Sequence, residues 1–130
     1  MATIDVLIVV DTAGALASRD LQSNVYLIDT NKHDGSGNEG QAELYTACKD
    51  GDFIIWRVVS VAPSGDVSIS QFTGQMINDK TCVPRKTGIG SDVYWEGQVE
   101  AQGFTGNKQY SVVLTIEGIQ MTFDPFLKIS

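Results

Sequence analysis

"YSVVLTIEG", residues 110–118, decides how the rest of the chain is read. Tyr110, Val112, Leu114 and Ile116 fall on one face of an extended backbone, and Ser111, Thr115 and Glu117 on the other. Side chains of a strand alternate between two faces, so this two-residue rhythm specifies a strand with one dry and one wet side. The pattern is that of an antiparallel sheet.

The same rhythm recurs upstream. In "DVYWEGQVEA" (92–101), Val93, Trp95, Val99 and Ala101 face inward, while Tyr94, Glu96, Gln98 and Glu100 face outward. "DVSISQF" (66–72) alternates Val67 and Ile69 with Ser68 and Ser70. "IDVLIVV" (4–10), "VYLI" (25–28) and "DFIIWRVVSV" (52–61) are apolar on both faces and are expected as central strands of a packed double layer. "IQMTF" and "FLKI" supply a last strand, in which Pro125 demands a bulge or an edge.

Turn residues separate these runs at 49–52, 62–66, 86–92, 104–108 and 117–118. Only "TAGALASRDL" (12–21) is suited to a helical turn, and Gly14 weakens it. The expectation is a single domain over residues 1–130, an all-β antiparallel sandwich of about eight strands.

Composition agrees. A chain of 130 residues with 42% hydrophobic content can bury a core without metal or disulfide. Its net charge of −7, with nine scattered Lys and Arg, argues against nucleic acid and anionic membrane surfaces as partners. Lys80, Arg85 and Lys86 are the nearest thing to a basic cluster. The opening "MATIDVLIVV" has no basic segment, and its apolar run of about seven residues is short for a signal peptide or a membrane span. Cytoplasmic synthesis is expected, with release by lysis or an unconventional route left open. Cys48 and Cys82 could form one bridge in an oxidising compartment, but without a signal peptide they are expected as two buried thiols.

"HDGSGNEGQ" (33–41) carries Gly35, Gly37 and Gly40 at the G-x-G-x-x-G spacing. A dinucleotide turn needs the first glycine at a strand end and the third opening a helix, and neither condition is met here. The EF-hand pattern fails as well, because His33 takes the fifth position, Asp34 the place of the glycine and Gly40 that of the final carboxylate. A long glycine-rich hairpin connection is the favoured reading. A looser calcium site using Asp34, Asn38 and Glu39 stays open.

Catalytic constellations are missing from the sequence. A lone histidine, His33, excludes two-histidine zinc motifs, and no nucleophile elbow or P-loop occurs. Glu96 and Glu100 could be posed as acid and base, but an outward face without apolar neighbours makes them solvated charges. Trp56 and Trp95 read as core, whereas Tyr94 points outward and is the better stacking surface for a sugar ring. Candidate ligand-binding residues are therefore Asp34, Asn38 and Glu39 on one loop, with Asp92 and Tyr94 near another.

Three stretches together resemble the bacterial PixA/AidA inclusion-body proteins. An opening strand runs into Asp11 and Thr12. A mid-chain strand carries Gly51, Asp52, Ile54, Trp56 and Arg57, and the chain closes on Phe123, Asp124, Pro125 and Lys128. The chain departs from that pattern in a trimmed segment between Thr73 and Tyr94 and in holding only three methionines. The resemblance implies a non-enzymatic protein of host-associated bacteria, held in inclusions or engaged with a host, and it transfers no catalytic residues. A self-associating binding protein without cofactor is the first expectation. A lectin, with glycans as partners and calcium in support, is the alternative.

Overall fold

A computed structural model describes residues 2–30, 44–62, 65–88 and 93–130. Its first layer is a five-stranded sheet in the order β2-β1-β4-β7-β6. These strands are β1 (Thr3–Val10), β2 (Val25–Asp29), β4 (Phe53–Ser60), β6 (Arg85–Thr87) and β7 (Tyr94–Gln98). Ile4, Val6, Ile8 and Val10 of β1 share the inner face with Leu27, Ile54 and Trp56, and all of them are buried.

The opposing layer is built from two three-stranded sheets. One contains β5 (Val67–Thr73), β9 (Ser111–Ile116) and β10 (Ile119–Phe123). The other contains β3 (Tyr45–Cys48), β8 (Gly106–Gln109) and β11 (Phe126–Ile129). Strand β8 runs into β9 through Tyr110, and β10 runs into β11 through Asp124 and Pro125. The two passages lie side by side, since the Tyr110 amide donates to the Pro125 carbonyl at 3.0 Å. Pro125 lacks an amide hydrogen and stands where the ladder stops, so the layer bends there at no cost in hydrogen bonds.

The all-β sandwich is therefore what the structure shows, with three departures in detail. Eleven strands are present among the described residues. Two pairings, β1 with β4 and β3 with β11, run parallel. "IQMTF" and "FLKI" form two strands in different sheets instead of one.

The strands that were missed, β3, β6 and β8, have three or four residues each, and β6 and β8 are polar. Residues 106–109, the first three of them expected within the turn at 104–108, form β8, which β11 holds in register from Phe126 opposite Gln109 to Ile129 opposite Gly106. The three runs with two apolar faces also need correction. Strands β1 and β4 are central in their sheet, but β2 is an edge, and only one face of this sheet meets the core. Their second apolar face is turned outward.

Two local features match the sequence closely. Glu117 and Gly118 both take positive φ (47° and 84°), the geometry of a two-residue turn that follows the twist of β9 and β10. The expected helical turn becomes α1 (Thr12–Ser18), capped by Asp11, whose carboxylate accepts the Gly14 amide at 3.0 Å. Gly14 lets the Asp11 and Asn24 side chains lie close against the first turn. A Cβ would sit 2.5 Å from Asn24 Oδ1 and 2.7 Å from the capping carboxylate.

Candidate functional site

Of the expected ligand-binding residues, Asp34, Asn38, Glu39 and Asp92 lie outside the described residues, as does His33. Tyr94 is described. It opens β7 on the outer face of the five-stranded sheet, half-buried, with the Arg57 guanidinium 5.0 Å above its ring. Arg57 also meets Asp5 at 3.3 Å on the same face. One side of the Tyr94 ring is thus taken by a cation.

Register places the rest of this outer face. Ile28, Leu7 and Arg57 form one cross-strand row, and Tyr26, Val9 and Val59 the next. Tyr26, Ile28 and Val59 are 46%, 41% and 44% exposed, while Leu7 and Val9 between them are half-buried. Five apolar side chains in two adjacent rows make a continuous patch. On β1, β2 and β4 the only outward charges are Asp5 and Arg57, and these neutralise each other. The clue to this patch stood in the sequence as the apolar second face of "IDVLIVV", "VYLI" and "DFIIWRVVSV".

The other end of the same sheet is polar. Glu96 and Glu100 border a cavity together with Phe53 and Val83, so the expectation that they lack apolar neighbours is corrected. Both tryptophans pack inward, Trp56 fully buried and Trp95 against Phe72 at 5.4 Å between ring centres. Both cysteines are free and buried. Their thiols are pushed up to about 12. For Cys48 the causes are burial and then the charges of Asp52 and Asp29. For Cys82 they are burial and then Cys48 and Glu100. A thiol so reluctant to ionise is a poor nucleophile. Among the described residues, no three His, Cys, Asp or Glu side chains gather as a metal site would require. No helix among them is long and apolar enough to cross a membrane.

The residues that carry the family resemblance do structural work. The Thr12 hydroxyl meets Ser60 Oγ at 3.2 Å. Asp52 is buried, and its carboxylate accepts the amides of Ala2 and Lys49, both at 2.9 Å. The Ser111 hydroxyl donates to Asp124 at 2.6 Å, beside the bend at Pro125. These contacts fasten corners of the sandwich.

Such a molecule, a two-layer β-sandwich whose signature residues serve the fold, is similar in structure to an inclusion body protein. The crystal structure of the inclusion body protein PixA from Burkholderia cenocepacia J2315 matches 99% of this chain and 94% of its own, with a TM-score of 0.71 at 15% sequence identity. The resemblance read from the sequence is thereby borne out at the level of fold. By sequence, residues 2–122 match the model of DUF8788, a domain of unknown function, and the chain belongs to that family. No curated protein matches it.

Proposed function

We propose that this chain is a non-catalytic protein that assembles with copies of itself, and that copies meet on the outer apolar face of β2, β1 and β4. The observation that carries the proposal is the patch of Tyr26, Ile28, Leu7, Val9 and Val59, which the protein's own second layer leaves uncovered. A chain of net charge −7 repels its own copies, so contact is favoured where local charge cancels, as Asp5 and Arg57 do here. Edge strand β2 adds a row of backbone donors and acceptors beside the patch. The similarity in fold to an inclusion body protein supports assembly.

Strands β1 and β4, about 26 Å long, and β2, about 17 Å long, spaced about 4.8 Å apart, cover roughly 330 Å². That equals a large apolar patch on a monomer but falls well short of the ~800 Å² per partner of a standard interface. The association is accordingly weak and concentration-dependent. Sedimentation from micromolar to millimolar protein tests it: the mean mass rises with concentration, and Ile28→Lys or Val59→Lys abolishes the rise. Both side chains are exposed, so the variants fold. A wild-type protein that stays monomeric throughout overturns the proposal.

A further inference from the structure

The cavity beside Glu96 measures about 490 Å³, within the usual range for small-molecule sites. Strand β7 supplies Glu96 and Gln98, with Gly97 between them contributing backbone alone, and Glu100 follows. The segment from Lys80 to Arg85 forms the opposite wall and is tied to β7, since the Glu100 amide donates to the Thr81 carbonyl at 2.7 Å. Phe53 and the half-exposed Val83 provide apolar surface.

Two cations and two carboxylates line this one space, yet none of the four forms an ion pair among the described residues. Across β6 and β7, Arg85 stands directly opposite Glu96. Lys80 takes a φ of 56° in the closing turn of the short helix Gln75–Asn78, where its amide donates to the Ile77 carbonyl at 3.0 Å. Opposite charges kept apart around an apolar wall suit a ligand that carries both charges itself.

We infer that this cavity binds a small zwitterion with an apolar side chain, of the amino acid or dipeptide class. Arg85 and Lys80 take the ligand's carboxylate, since a guanidinium matches a carboxylate in two-pronged geometry. Glu96 and Glu100 take its ammonium group, and Phe53 and Val83 its side chain. The site is independent of the self-association patch.

Titration calorimetry and amide chemical shifts test this with L-phenylalanine and L-valyl-L-phenylalanine, beside 3-phenylpropanoate and 2-phenylethylamine as singly charged controls. At least one zwitterion is expected to saturate, with shifts centred on residues 80–85 and 96–100, and each singly charged control to bind at least tenfold more weakly. Arg85→Gln removes the preference over the amine, and the double variant Glu96→Gln/Glu100→Gln removes that over the carboxylate. All three altered side chains lie at the surface, and an unchanged melting temperature verifies the fold. Failure of both zwitterions to saturate, or equal binding of zwitterion and controls, overturns the inference.

Discussion

Trp56 Nε1 donates to the Tyr110 hydroxyl at 3.2 Å, wholly inside the protein. Trp56 belongs to the five-stranded sheet and Tyr110 to the bend of the opposite layer, so this bond joins the two layers within the fully buried core. Phe72 fills the same space, 4.9 Å from the Trp56 ring and 6.1 Å from that of Tyr110. The bond aligns the layers, while the rings supply most of the burial energy.

Removing only the oxygen isolates the bond. Tyr110→Phe keeps the ring and leaves the indole N–H buried without a partner, which costs about 1–3 kcal/mol. Urea denaturation reads this as a lower midpoint with an unchanged slope. A midpoint equal to wild type would mean that the two layers are aligned by ring packing alone.

Asp52 performs a similar task with a charge. Its carboxylate holds the amides of Ala2 and Lys49, tying the start of β1 to the turn between β3 and β4. Asp52→Ala removes the acceptor of two part-buried bonds and is expected to lower stability by about 1–3 kcal/mol. Asp52→Asn retains an acceptor oxygen and loses less. Thermal unfolding ranks the three proteins, and equal melting temperatures would refute this role.

How much of this was legible follows from where each residue's energy comes from. The alternation in residues 110–116 and the Glu117-Gly118 turn are local, so the β9–β10 hairpin could be read directly. Strand β8 could not, because "GNKQ" has no apolar face, and a lysine ordinarily reads as outward. Pairing with β11 creates that strand, and Lys108 lies inward beside its near neighbour Phe104 only because the fold brings Asp79 to it from 29 residues away. The cavity was half visible. The cluster at Lys80 and Arg85 and the carboxylates Glu96 and Glu100 were each apparent, but their meeting depends on β6 folding onto β7. Of the expected sugar and calcium residues, Asp34, Asn38, Glu39 and Asp92 lie outside the described residues, and Tyr94 is described.

Lys108 yields a prediction of unusual sign. Its ammonium is nearly buried, 2.6 Å from Asp79 and 4.2 Å from the centre of the Phe104 ring. Asp79→Ala strands a cation in apolar surroundings. Loss of one partner from a fully buried pair costs several kcal/mol, and solvent at half-exposed Asp79 reduces this to about 1–2 kcal/mol. Lys108→Met keeps the stem and discards the charge, so it costs less, under about 1 kcal/mol. Removing the carboxylate is thus worse than removing the lysine it neutralises, and guanidinium denaturation of the two variants decides the order.

The cysteines give the protein a signature in alkali. Burial holds both thiols protonated to about pH 12, against an ordinary value of 9.0 for an exposed thiol. Below pH 9 the folded and unfolded chains carry the same thiol protons, and this contribution is flat. Between about pH 9 and pH 12 the unfolded chain releases them while the folded chain retains them. Stability then falls with rising pH, by about 1.4 kcal/mol per pH unit for each thiol. Other groups titrate in this window, so the test is a difference: the double variant Cys48→Ala/Cys82→Ala loses this part of the slope between pH 8 and pH 10.5, whatever its stability at neutral pH. In the native state at pH 8 both thiols resist iodoacetamide, and both react after denaturation. Rapid native alkylation, or a slope unchanged in the double variant, would show that the thiols are not sealed in the core.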